Sequence, residues 1–445
     1  MKDIFDPRSY GAAADGRTKD TAAVQAAIDA AAAQGGTVRL AGGTFVCGTL
    51  YLKSNVALEI TNSATLLASP DIADYGTDTH HNRYRNEPEL DRCFLFAQDA
   101  ENVTICGSGV IDGNAAAFPN AGSIYRPMLL RVLRCRNVRV QNLRLLNAAA
   151  WTTAFLDSDF IWATDLHIEN HRNYNGDGLD FDGCRHVWVR GCYIDGTDDN
   201  LCLQSSGLPV QDVHISDCAF TSVCAGIRIG LKSIGGISGV VISNCTMRNV
   251  WREGIKLECT EGGSITDILV ENVTMHNVRR PIFAILNNRY RPDDLGSSVE
   301  LDHIPPIGTM ARLRFVGITA VDDEEMAHAQ RRFDNDIMGE PRFGGCRLDA
   351  NAAHMIEDVT IRDFWYTAFG GVKLTDLPSA PYPGVPDRLQ APTAPGSENY
   401  YPNWSRTTHL DARYVRGLTL ENLHFITLHS DERPKMLTEG PTIML

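Results

Sequence analysis

A phrase of the form x-Val-x-Ile-x-Asn-x-x-Phe/Met recurs along this chain and limits its possible folds more than any other feature. It is read at 137–143 as Asn-Val-Arg-Val-Gln-Asn-Leu and again at 159–166, 186–192, 212–218, 239–245 and 267–273. Later copies begin at Arg312, Asp358 and Gly417. Between the anchors His186, Asp212, Gly239 and Asp267 the intervals are 26, 27 and 28 residues. Each interval holds a strand with turns, too short to bury its own apolar face, so successive copies must stack on one another. The expected fold is therefore all-β: a solenoid of short parallel strands, read as a single domain over residues 1–445. Leu143, Leu166, Cys192, Cys218, Cys245 and Val273 share one repeat position and should form an interior ladder. Asn142, Asp165, Asp217, Asn244 and Asn272 share the preceding position and should stack as a ladder of Asx side chains.

The first 40 residues read as a cap. Val24, Ala27, Ile28 and Ala31 keep helical spacing, with Asp20 placed as N-cap and Gly35-Gly36 as stop. Such a helix would cover the open strand edges at the end of a sheet stack. Short strands are expected at 37–40, 48–52, 56–60 and 65–67. Over 281–415 the rungs should be interrupted by long loops, near 286–310, 322–355 and 371–412, which could wall a groove into a pocket.

The formal net charge of −14, with nothing resembling a basic stripe, argues against a nucleic-acid partner. No apolar run is long enough to span a membrane as a helix. The 12 cysteines show no Cys-x-x-Cys metal spacing and read as reduced and buried. Residues 1–8 lack a hydrophobic signal core, which leads to an expectation of a cytoplasmic protein. A secreted or periplasmic chain with its signal removed would read the same. Nothing here fixes an oligomeric state.

Chemistry concentrates at 175–207. Asp177 lies in one Asn/Gly-rich turn, and Asp198 and Asp199 lie in a second, 21 residues after Asp177. On neighbouring rungs the three carboxylates would share a surface, where like charges resist simultaneous ionisation and force one pKa upward. That split suits acid/base work, with one carboxyl protonated to donate and others ionised to accept. Asp, Asn and Gly are also ordinary turn formers, so composition alone does not establish a site.

These residues resemble glycoside hydrolase family 28, the polygalacturonase-like enzymes, over nearly the whole chain. The opening 10–16 and 20–25 and the stretch 42–50 are similar to the family's entry segment, and Gly107-Ser108-Gly109-Val110-Ile111-Asp112-Gly113 resembles its Gly-x-Gly-x-Ile-Asp-Gly phrase. Its Asn-Thr-Asp-Gly-x-Asp phrase matches Asn175-Gly176-Asp177-Gly178-Leu179-Asp180, and its Gly-Asp-Asp phrase matches Thr197-Asp198-Asp199. The resemblance implies a single-stranded right-handed parallel β-helix and inverting hydrolysis of a glycosidic bond in a pectic or related glycan, with neither cofactor nor metal. By the same resemblance Asp198 would be the general acid, while Asp177 and Asp199 would hold and deprotonate the attacking water.

The chain departs from the family at two phrases. Where the family has Gly-His-Gly, this chain has Cys224-Ala225-Gly226; where it has Arg-Ile-Lys, this chain has Lys256-Leu257-Glu258. The family's lysine meets a galacturonate carboxylate, and a glutamate there would repel it. Either Arg228, Lys232 or Lys256 supplies the missing cation, or the sugar at the cleaved bond is neutral. An altered, exo-type specificity is the expectation. Asn175, His171 and Arg413 are further binding candidates, with the polar stretch 80–85 and the segment 400–402 beside them. Arg228 is expected to face the substrate or Glu258 and not the catalytic pair, because pairing would depress their pKa values and hinder the acid. Three other classes stay open. A β-helix polysaccharide lyase or epimerase would use Ca²⁺ or a Lys/Arg base, and its lyase product would absorb in the ultraviolet. A non-catalytic glycan-binding solenoid would show no turnover, and a transferase on the same scaffold would build larger products.

Overall fold

The computed structural model describes residues 3–79, 91–120, 125–288, 304–323, 344–376, 405–440 and 443–444. The stretches 80–85 and 400–402, and most of the three expected insertions, lie outside the described residues. Strands pair in parallel throughout the named pairings, and the fold is a right-handed parallel β-helix. By contacts the chain divides into two compact units, Met1–Asp198 and Asp199–Leu445.

In the first unit three runs of parallel pairing form three faces. One climbs through Thr37–Leu40, Ala57–Ile60, Glu101–Gly107, Arg136–Gln141, Asp159–Thr164 and Arg185–Arg190. A second climbs through Gly43–Cys47, Ala64–Ala68, Val110–Asp112, Arg144–Leu146, His167–Asn170 and Tyr193–Gly196. The third runs Leu50–Leu52, Cys93–Gln98, Met128–Leu133, Thr153–Leu156 and Leu179–Asp182. The second unit repeats this plan, its third face running from Leu201–Ser205 through Ile227–Ser233, Thr246–Cys259 and Ser264–Leu286.

Corners are made by single left-handed residues. The anchors His186, Asp212, Gly239, Asp267, Arg312, Asp358 and Gly417 all have φ between 52° and 68°. The Asx positions do likewise, at 56° for Asn142, 54° for Asp165, 57° for Asp217, 55° for Asn244 and 52° for Asn272. Asn and Asp tolerate this region because their short polar side chains bond locally. The expected ladder is present: Asn272 Nδ2 donates to Asn244 Oδ1 at 2.6 Å, and Asn244 Nδ2 to Asp217 Oδ1 at 3.5 Å. The adjoining Leu143, Leu166, Cys192, Cys218, Cys245 and Val273 are all buried. Every cysteine is free, and all but Cys106 are buried.

The helix Thr21–Ala32 buries Val24, Ala27, Ile28 and Ala31. Its Gln25 amide donates to the carbonyl of Tyr51 at 3.1 Å and accepts its N–H at 2.9 Å, as a neighbouring strand would. Edge groups are thereby satisfied at this point. Asp20 does not cap the helix with its side chain. Its carboxylate instead accepts the N–H groups of Ala13 and Ala14 at 2.7 and 3.0 Å, because the preceding turn folds back on it. No helix among the described residues is long and apolar enough to cross a membrane.

Asp322 is buried beside Tyr366, whose hydroxyl donates to it at 3.1 Å. Burial, aided by the neighbouring Asp323 charge, pushes its carboxyl up to about 8. The folded state then holds a proton that the unfolded chain releases near 3.8. That contribution is complete below the unfolded value and is lost as pH rises towards the folded one. Asp322→Asn, which keeps an acceptor for Tyr366, should therefore unfold with roughly 5 kcal/mol more resistance than wild type at pH 9. At pH 4 the two should match, as read by denaturant titration at both pH values.

Candidate active site

The first acidic turn belongs to the first unit and is propped from beneath. Arg126 is fully buried, and its guanidinium donates to the carbonyls of Tyr174 at 2.5 Å and Ala149 at 3.2 Å. The Asn173 amide donates to the carbonyls of Ala115 and Ala149 at 3.3 and 3.2 Å. Asn175 takes the left-handed conformation, φ 62°, and is buried. Asp177 is buried, and its carbonyl accepts the Thr152 N–H at 2.9 Å. Asp198, in the second turn, is only partly buried. His171 lies at the edge of this turn with Nε2 3.0 Å from the carboxylate of Asp195.

Asp199 opens the second unit, where strand register shows what it stacks upon. Leu201 pairs with Ile227, Ile227 with Ile255, and Ile255 with Ile282. Two residues before each stand Asp199, Ala225, Glu253 and Arg280; one residue further back lie Cys224, Arg252 and Arg279. The turn column that begins with a carboxylate thus continues into a second carboxylate and three arginines. Arg280 Nη1 reaches Glu253 Oε1 at 2.6 Å, Arg252 Nε lies 3.5 Å from Glu253 Oε2, and Arg252 Nη1 donates to Cys224 Sγ at 3.3 Å. All of these residues are buried.

Arg228 Nη1 lies 2.6 Å from Asp199 Oδ2, and the Cys224 thiol donates to Asp199 Oδ1 at 3.3 Å. This corrects the expectation that Arg228 avoids the catalytic pair. A carboxylate whose side chain is wholly buried needs an opposite charge, because an uncompensated buried ion costs several kcal/mol. Ala225 is fully buried, and its carbonyl accepts the Asn200 N–H at 3.0 Å. Burial acts to raise the Asp199 carboxyl, but the charges of Arg228, Lys256 and Arg252 outweigh it and hold the group below its ordinary value. Glu253 is held low in the same way: burial opposes ionisation, and Arg252, Arg280, Lys256 and Arg279 overcome it.

Lys256 and Glu258 have no exposed side-chain surface. The Lys256 ammonium is 3.5 Å from Glu258 and 3.8 Å from Glu253. They lie on the same strand as Leu257, which points into the core, so alternation turns both to the outer face. Lys232 is 3.9 Å from Glu261. Arg413 shares a register row with Glu258, Ile285 and Asp349, and is held by Asp349 at 3.6 Å and Glu439 at 3.2 Å.

Reading the sequence alone missed Arg126, Cys224, Arg252, Glu253, Arg279 and Arg280. The five from Cys224 to Arg280 that flank the repeat could have been found by counting back from each strand start. Arg126 carries no comparable signal, since its contact with Tyr174 spans 48 residues.

The chain is of the parallel β-helix class with two acidic turns, and the comparisons give its family. Residues 44–300 match the model of glycosyl hydrolases family 28, and the chain belongs to that family. A probable polygalacturonase of Vitis vinifera is 27% identical over 262 residues, covering 52% of each chain. An exo-poly-alpha-D-galacturonosidase of Dickeya chrysanthemi is 24% identical over 300 residues, 54% of this chain and 50% of that one. The chain spans about half the length of these curated relatives. Among solved structures, the exopolygalacturonase from Thermotoga maritima superposes with a TM-score of 0.69 at 20% identity, over 96% of this chain and 92% of the other. That likeness establishes the fold.

The Glu253–Arg280 contact gives a stability test. Arg280→Met leaves Glu253 short of its nearest cation inside the protein, and should lower the unfolding free energy by about 3 kcal/mol in a denaturant titration.

Proposed function

We propose that this protein is an inverting glycoside hydrolase, exo-acting on a pectic or related glycan, with altered specificity at the cleaved bond. The observation that carries the reading is the contrast between adjacent aspartates. Asp199 is sealed and paired with Arg228, whereas Asp198 is partly open. Asp198, in this reading, protonates the leaving oxygen. Asp199, kept ionised, accepts the proton of the attacking water together with Asp177. An inverting acid and base stand about 6.5–9.5 Å apart to admit that water.

The altered specificity is supported by the cations. Arg228 faces Asp199, Lys256 faces Glu253 and Glu258, Lys232 faces Glu261, and Arg413 faces Asp349 and Glu439. Each of these four cations already meets a carboxylate. A uronate carboxylate would compete with those internal partners, while a neutral deoxy or pentose sugar would not.

The test is a glycan-panel digest read by mass and by proton NMR of the newly formed anomer, with Asp198→Asn alongside. Release of single sugars with inverted configuration, lost in the variant, is expected. Release of an ultraviolet-absorbing unsaturated product would replace hydrolysis by elimination. Binding without turnover in both proteins would leave a glycan-binding module. The Arg228 contact also fixes a pH dependence. A base must be ionised to act, and removing the cation beside it raises its pKa. Arg228→Gln should therefore move the acidic limb of the kcat/KM profile to higher pH by about one unit.

A further inference from the structure

We propose that Thr197 is the positioning residue that sets the Asp177 turn against the Asp198 turn, and that Gly176 and Thr197 function as an exchanged pair. The inference rests on the catalytic reading above. Thr197 directly precedes Asp198, and Gly176 directly precedes Asp177. The Thr197 hydroxyl accepts the Gly176 N–H at 3.0 Å and donates to the Asn173 carbonyl at 2.7 Å. The Thr197 N–H returns a bond to the Gly176 carbonyl at 3.3 Å. Three hydrogen bonds therefore join the two turns, two of them between the residues that directly precede the two aspartates. All are made by neutral groups, so they hold together two turns whose aspartates repel.

The two residue types depend on each other. A Cβ at position 176 would lie 2.4 Å from Thr197 Oγ1 and 2.8 Å from the backbone oxygen of Asn170. The hydroxyl occupies the space that only a glycine at 176 leaves open. Asn170 gives little, because its side chain is itself bonded to the Ala150 carbonyl at 2.8 Å and to Thr152 Oγ1 at 3.1 Å. The family's phrases carry threonine at the position of Gly176 and glycine at that of Thr197. In this chain the two residue types are exchanged, and the hydroxyl bridges to the first turn from the second. Thr197 is buried, so the contact is sheltered from competing water.

The consequence is kinetic. Misplacing a reacting group by about 1 Å can cost about 100-fold in rate. Thr197→Val keeps the volume and removes the hydroxyl, and should lower kcat about 100-fold with KM within about threefold. Thr197→Ser keeps the hydroxyl and should stay within about threefold of wild type in kcat. Gly176→Thr alone should be as slow as Thr197→Val, whereas Gly176→Thr combined with Thr197→Gly, which removes the clash with the hydroxyl but keeps the approach to the Asn170 carbonyl, should be about tenfold faster than Gly176→Thr alone. Thermal melts of the same proteins complete a double-mutant cycle on stability.

Wild-type kcat in Thr197→Val, or a double exchange no faster than Gly176→Thr, overturns the proposal. If Thr197→Val fails to fold, Thr197→Ser and the double exchange decide alone: serine must keep kcat and the exchange must outpace the single. Coupling in the melts with unchanged kcat would make the contact structural only and also overturn it. Activity surviving in Asp177→Asn and Asp198→Asn would sink the catalytic reading instead, with coupling between 176 and 197 still visible in the melts. An inactive wild type removes the reading on which the inference rests, and the inference with it.

Discussion

Parallel backbone pairing from rung to rung is the constraint on which the rest depends. Within each unit it converts a distance in sequence into a contact in space, because residues one rung apart must sit side chain over side chain. The αL corners keep that conversion in register. A residue such as Asp217 or Asn244 turns the chain at low steric cost and then bonds to its equivalent on the next rung. Interior apolar residues and outward polar ones then follow from strand alternation alone.

The same stacking creates an electrostatic problem in the second unit. A column of turns holding Asp199, Glu253, Arg252, Arg279 and Arg280 is buried, so each charge must be balanced by a neighbour on its own rung or an adjacent one. Balance is reached by contacts of 2.6 Å between Arg228 and Asp199 and between Arg280 and Glu253, with Lys256 set between two glutamates. The first unit meets its acidic turn differently, with Arg126 and Asn173 bonding backbone carbonyls and Thr197 bonding across the gap. One turn is held by ion pairing, the other by hydrogen bonds to the backbone.

Much of this was legible beforehand. The repeat interval gave the solenoid, and the ladder positions gave the buried row from Leu143 to Val273. Arg228 was misjudged for a physical reason. From sequence, an arginine near two aspartates looks harmful to an acid catalyst, and only burial shows that one of the two cannot remain unpaired. Asp20 was misjudged similarly: its cap position was visible, but its bonds to Ala13 and Ala14 depend on a turn that folds back.

The sequence by itself determined the rung spacing, the corner residues and the identities of the carboxylates, because these are periodic and local. Only the tertiary structure decided which charge faces which. Partners such as Arg228 and Asp199, or Arg126 and Tyr174, are 29 and 48 residues apart. Whether such groups meet depends on burial and side-chain direction, which a repeat fixes for the backbone but not for a long flexible guanidinium. The exchange of Gly176 and Thr197 lies between the two cases. Its letters were in plain view, and the 2.4 Å approach that makes them one feature was not.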